Sequence, residues 1–156
     1  MTQSEYIKYL FTRRMSVMLL LGFSSGLPLS LCASTLQAWM ATVDTNVLTI
    51  GLFTLVQIPY VLKFLWAPLM DRYALPLFDR RRGWIMLSQV LLMIAIVLMA
   101  FSDPRSNLPL MGILALMIAF LSATQDIAFD AYRTEVLIDK ERGIGVGISV
   151  SAYRIA

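Results

Sequence analysis

Polar and apolar positions along the chain fall into long blocks. Four apolar runs, 15–40, 49–70, 84–101 and 108–129, are separated by short polar segments, and a fifth, 143–156, reaches the last residue given. A helix rising ~1.5 Å per residue needs ~20 residues to cross ~30 Å of hydrocarbon, and the first four runs are near that length. The fifth is too short to span and reads as a helix cut off from its continuation. Lipid offers no partner to backbone N–H and C=O groups, so such runs must be helices. The expected fold is therefore all-α: a polytopic membrane bundle over 15–156 behind an N-terminal segment 1–14. The first run far exceeds the ~7–15 apolar residues of a signal peptide and no small-x-small cleavage site follows it, so it reads as a retained helix.

Composition agrees. Hydrophobic residues make up 58% of the 156 and charged residues 15%, with mean hydropathy +0.72. Soluble domains run about 45–50% apolar and about 25% charged. Disorder and an ordinary soluble enzyme are excluded. The formal charge of +3 would suggest nucleic acid in a soluble protein, but here placement matters more than the sum. Lys8, Arg13 and Arg14 precede the first run. Only Asp44 lies between the first and second. Arg72, Arg80, Arg81 and Arg82 follow the second, Arg105 the third, and Arg133, Lys140 and Arg142 the fourth. The alternation predicts a cytoplasmic N-terminus with the basic loops inside. Trp39, Trp66 and Trp84 fall near run ends, as an aromatic belt requires.

The chain has no His and one cysteine, Cys32, within an apolar run. His-based metal sites, His general bases and an internal disulfide are excluded, and an integral-membrane enzyme is disfavoured. No catalytic residue, metal or cofactor is expected.

Polar side chains within the runs carry the functional readings. In the first, Gly22, Gly26, Ser30, Ser34 and Gln37 share one helical face. They suit a packing seam, with Gln37 also placed to face a polar cavity. Pro28 should kink this helix. In the second, Tyr60 and Lys63 are surface neighbours; Lys63 either snorkels to the interface or faces the bundle interior. In the fourth, Ser122, Gln125, Asp126, Phe129, Asp130 and Arg133 lie on one face. Carboxylates one turn apart repel when both ionise, so one is poised to hold a proton. Asp126 is the deeper and the first choice, while Arg133 can neutralise Asp130; a solvated helix end is the plain alternative. In the fifth, Gly143, Gly147 and Ser151 form a face suited to tight packing, and Arg154 is a candidate substrate contact or a partner for Asp126.

Two groups of motifs carry a resemblance. The loop 67–73 (APLMDRY), followed by 80–83 (RRRG), resembles the loop signature between the second and third helices of the major facilitator superfamily. Met70 stands where a small residue is usual, and 74–79 lengthen the loop. The stretches 125–131 (QDIAFDA), 135–137 (EVL) and 141–143 (ERG) resemble the branch of that superfamily that holds muropeptide permeases of the AmpG type and acetyl-CoA transporters. The stretches 22–29 (GFSSGLPL), 35–40 (TLQAWM) and 63–72 (KFLWAPLMDR) are similar to the AmpG type itself.

That resemblance implies an inner-membrane importer of N-acetylglucosaminyl-anhydro-N-acetylmuramyl peptides for cell-wall recycling, driven by the proton gradient and bearing on β-lactamase induction. It implies two pseudosymmetric halves with substrate between them. This chain would supply about five helices of the first half, so the stretch alone is not expected to transport. Its partners would be the substrate, membrane lipid and the missing C-terminal half, with no nucleic acid. Substrate-binding candidates are Gln37, Tyr60, Lys63, Gln125 and Arg154. Proton-coupling candidates are Asp126 and Asp130. Asp71, Arg72, Arg80 and Arg81 would form a conformational latch. A transporter of CoA thioesters and a non-transporting membrane scaffold are the alternatives.

Overall fold

The computed structural model describes residues 12–42, 46–73, 79–103 and 107–156. Every described secondary-structure element is helical. We label them α1 (Arg13–Thr42), α2 (Val47–Leu65), α3 (Ala67–Arg72), α4 (Arg80–Ala100), α5 (Leu108–Val136) and α6 (Asp139–Ile155). Four of these, α1, α2, α4 and α5, are long and apolar enough to cross a membrane, which makes the chain an all-α membrane helix bundle.

The helix limits differ from the apolar runs for local reasons. α5 continues seven residues past 129, through Asp130, Arg133 and Glu135, because a helix need not end where its apolar run does. α6 starts at Asp139, before the apolar run at 143. Ile138 is extended (φ −70°, ψ 152°), and Asp139 and Glu141 occupy the first turn, where the helix dipole favours carboxylates.

The run 49–70 is not one regular helix. Within α2, Phe53–Gln57 and Lys63–Leu65 wind as 3₁₀ turns, and Trp66 separates α2 from α3. Pro59 and Pro68 cause this, each removing an N–H from the i→i−4 ladder. In α1, Pro28 is followed by a π-helical turn at Leu31–Thr35. That wider turn rotates the face predicted from even spacing. Gly22 and Gly26 are buried while Ser34 is exposed, its Oγ donating to the Ser30 carbonyl at 2.8 Å.

The chain forms two compact units, one of residues 28–128 and one of residues 1–27 with 129–156. α1 and α5 contribute residues to both. In the central unit, Leu36 and Met40 of α1, Phe53 and Val56 of α2, and Met111, Ala115 and Ala119 of α5 form one core. Cys32, Leu92, Ala95 and Ile118 form a second, which brings in α4. The α5 alanines let neighbouring backbones approach closely. Cys32 is buried there, a small apolar filler.

In the terminal unit, Met15, Met18, Phe129 and Leu137 form the core. α1 meets α6 at glycines: a β-carbon on Gly22 or Gly26 would stand 2.5 Å from the carbonyl oxygen of Ser149 or Tyr153. The packed face of α6 is Glu141, Gly145, Ser149 and Ala152. This corrects the expectation that Gly143, Gly147 and Ser151 pack: nothing lies within 4 Å of a β-carbon on Gly143 or Gly147. Spacing alone offers two small-residue faces on α6, and the bulk of Leu137 and the carboxylate of Glu141 select between them.

Many large apolar side chains remain exposed, among them Leu20, Val61, Phe64, Leu65, Met93, Ile113 and Phe101. In water such coverage would be an aggregation liability; against lipid tails it is the expected outer surface.

Candidate functional site

In the central unit the polar candidates come from α1, α2 and α5. Gln37 is half-buried beside Leu36 and Met40 of the core. Tyr60 packs against that same core. Most residues of α2 that are not exposed recur every third position, in two adjacent rows: Ile50, Phe53, Val56 and Pro59 in one, Gln57, Tyr60 and Lys63 in the other. The 3₁₀ turns at Phe53–Gln57 and Lys63–Leu65, on either side of the α turn Ile58–Leu62, favour that spacing. It places Gln57, Tyr60 and Lys63 on the covered side of the helix, each half-buried. Among the described residues Lys63 makes no ion pair.

Gln125 is 1% exposed and Asp126 half-buried on α5. Trp66 links the segments carrying these groups. Its Nε1 donates to Thr124 Oγ1 at 3.2 Å, and its ring lies 4.8 Å from that of Phe120. Lys63 stands one 3₁₀ turn before Trp66, and Gln125 follows Thr124. Trp66 therefore serves as a half-buried anchor on α5 as well as a residue near a span end. No local pattern marks this contact, which joins residues 58 positions apart.

The latch candidates lie around α3 and the start of α4. Arg81 forms an ion pair with Asp71; the arginine is largely covered and the aspartate exposed. Trp84 Nε1 donates to the Tyr73 carbonyl at 3.0 Å, a second tie between the same two segments. Arg72 is exposed at the end of α3, and Arg80 opens α4. Arg82 faces Asp79 at 3.7 Å.

In the terminal unit Asp130 pairs with Arg133 at 2.9 Å. Arg133 also donates from its other terminal nitrogen to Ser149 Oγ at 3.0 Å, and its guanidinium carbon lies 5.7 Å from the centre of the Phe129 ring. Arg154 is exposed on α6 and makes no ion pair among the described residues. Sequence reasoning missed Glu141, which is buried and paired with Arg14 at 3.2 Å. The 127 positions between those residues hid the pair; an acidic residue beginning an apolar helix was the available hint. Positions 8, 44 and 105, used in the charge count, lie outside the described residues.

The candidates are thus amide, phenol, ammonium and carboxylate groups on apolar helices, with one arginine–carboxylate pair of interest in each unit, Asp71–Arg81 in the central and Asp130–Arg133 in the terminal one. Such groups can bind a polar solute and respond to charge.

The chain is 52% identical to proteins named anhydromuropeptide permease from Escherichia coli K12 and O157:H7, over 97% of this chain and 31% of theirs. It is 48% identical to an uncharacterized protein of Haemophilus influenzae Rd, over 94% of this chain and 35% of that one. The chain therefore spans about a third of the length of these relatives. Residues 14–150 match the family described as acetyl-coenzyme A transporter 1. That match covers most of the 156 residues, and the chain belongs to the acetyl-coenzyme A transporter 1 family.

Proposed function

We propose that this chain is part of a secondary transporter of the major facilitator fold. It imports N-acetylglucosaminyl-anhydro-N-acetylmuramyl peptides across the inner membrane for cell-wall recycling, driven by the proton gradient. The observation that carries this reading is the 52% identity over 97% of the chain to relatives named anhydromuropeptide permease. The chemistry of the central unit supports it. Gln37, Tyr60, Lys63 and Gln125 offer amide, phenol and ammonium groups that suit sugar hydroxyls, peptide amides and stem carboxylates. Asp126 takes the proton, and the Asp71–Arg81 pair is one part of the latch. The N-terminus faces the cytoplasm, as the Lys/Arg asymmetry requires.

A second reading, transport of acetyl-CoA or another CoA thioester, is favoured by the family description. A CoA site needs several cations for its phosphates. Inside the runs this chain offers only Lys63, half-buried, and Arg154, exposed.

The test is uptake by the full-length transporter reconstituted in vesicles, with labelled anhydro-muropeptide and labelled acetyl-CoA offered separately. Muropeptide uptake that collapses with the proton gradient is expected. Uptake of acetyl-CoA alone would move the assignment to the second reading. Uptake of neither would favour a scaffold that does not transport.

A further inference from the structure

We infer that Arg133 is a positioning residue that ties the Asp130 carboxylate to α6, so that the charge on Asp130 sets where α6 rests against α1. The inference rests on the proton-coupled reading above and adds a residue and a mechanical link to it. An i,i+3 ion pair on one exposed helix face restrains nothing beyond that helix. Arg133 does more. One terminal nitrogen meets Asp130 Oδ1 at 2.9 Å, and the other meets Ser149 Oγ at 3.0 Å. The Phe129 ring lies under the cation at 5.7 Å. Arg133 is only 20% exposed, against 52% for Asp130.

The acceptor sits where movement would be felt. Ser149 is 2% exposed, and its hydroxyl donates to the Val146 carbonyl at 3.0 Å, which orients its lone pairs toward Arg133. Its own carbonyl oxygen is the atom that a β-carbon on Gly22 would meet at 2.5 Å. One residue of α6 thus receives the guanidinium on its side chain and the α1 backbone on its carbonyl. Among the described residues of this unit, Glu135 is exposed, and Tyr132 and Tyr153 are half-buried. Arg14 pairs with Glu141 and Arg142 with Asp139, while Arg13, Lys140 and Arg154 are exposed. When Asp130 loses its charge, the guanidinium loses its strongest acceptor and its bond to Ser149 is redistributed. A planar fork can hold two acceptors on two helices at once; a lysine ammonium at the end of a flexible stem cannot hold the same pair.

The test uses the full-length transporter with Cys32→Ala and no other reactive cysteine, spin-labelled at Ser16→Cys on α1 and Lys140→Cys on α6, both exposed positions of this unit. Pulsed electron paramagnetic resonance then reads the distance distribution between labels. Asp130→Asn should shift or broaden it. In a Ser149→Ala background, which removes one buried oxygen and little volume, Asp130→Asn should have no further effect. Arg133→Lys should reproduce Ser149→Ala. An unchanged distribution in Asp130→Asn, or the same change with and without Ser149, overturns the inference. Uptake measured in parallel separates the two claims. Gradient-driven muropeptide uptake with unresponsive labels sinks the link alone. Responsive labels in a protein that takes up no muropeptide uphold the link and sink the cargo assignment. Where uptake occurs, Ser149→Ala should lower its maximal rate about tenfold, the scale of one lost hydrogen bond to a charged group, with KM unchanged.

Discussion

Gly22 lies so near Ser149 that a β-carbon there would stand 2.5 Å from the serine's carbonyl oxygen and 2.9 Å from its α-carbon. Both atoms are backbone, so no side-chain rotation relieves the clash. Gly22→Ala must push α6 from α1, at about 1–3 kcal/mol as for overpacking elsewhere. Gly147→Ala is the matched control. It meets nothing within 4 Å, and alanine should gain up to about 1 kcal/mol of helix propensity. Thermal unfolding of the full-length protein in detergent should therefore move in opposite directions for the two variants. Equal shifts would mean that the α1–α6 contact is looser than this geometry.

The glycine pattern also shows where sequence reading stops. Hydrophobic run length and the absence of charge locate the membrane segments, because bilayer thickness and backbone hydrogen bonding leave few options. The same logic cannot see helix ends where polar residues continue the helix, as Asp130 to Val136 do. Nor can it see a change of winding: the π turn after Pro28 and the 3₁₀ turns around Pro59 move residues off the faces that a 3.6 period assigns. For the site, residue types were legible and partners were not. Asp130 and Arg133 share a turn, so their pairing could be read from spacing. Arg14 with Glu141 and Trp66 with Thr124 join distant segments and carry no local signature.

The Arg14–Glu141 pair is asymmetric, and the asymmetry predicts a ranking. The Glu141 side chain is 5% exposed and that of Arg14 is 48% exposed. Removing the glutamate lets the arginine turn to solvent. Removing the arginine strands a buried carboxylate, a loss of about 3–5 kcal/mol for a fully buried pair and less here because one partner is half-exposed. Arg14→Ala should therefore lower thermal stability more than Glu141→Gln. The reverse order would show that Glu141 draws its support from another group.

Asp71 and Arg81 join the end of α3 to the start of α4. The aspartate is exposed, so its charge contributes little to folding. Asp71→Asn should leave membrane insertion and protein amount unchanged while reducing the transport rate of the full-length protein several-fold, since the proposed latch would have to form and break during each cycle. Normal transport by Asp71→Asn would reduce the pair to surface decoration.

The proposed orientation rests on charge placement and can be tested without substrate. A reporter fused after Asp44 or Arg105 should read periplasmic, and one after Arg81 or Lys140 cytoplasmic. The basic residues cluster in the sequence at Arg80, Arg81 and Arg82 and at Arg133, Lys140 and Arg142, while the segment between the third and fourth apolar runs holds one, Arg105. A cytoplasmic signal from the Asp44 fusion would invert the bundle.

Asp126 and Asp130 stand one turn apart on α5 yet sit differently. Asp130 is exposed and held by Arg133 at 2.9 Å, whereas Asp126 is half-buried next to the fully buried Gln125. A carboxylate that couples protons to each transport cycle must be able to exist both with and without its charge. On the proposed reading Asp126 is the residue that takes up the proton, and Asp130 acts on geometry through Arg133. In the full-length protein Asp126→Asn, fixed in the neutral form, should abolish accumulation driven by a pH gradient. Downhill muropeptide exchange should persist, since exchange needs the binding site but no net proton release. Uptake with and without a collapsed gradient distinguishes the outcomes. Accumulation by Asp126→Asn at the wild-type level would remove Asp126 from the proton path and leave the α5 carboxylates as a solvated helix end.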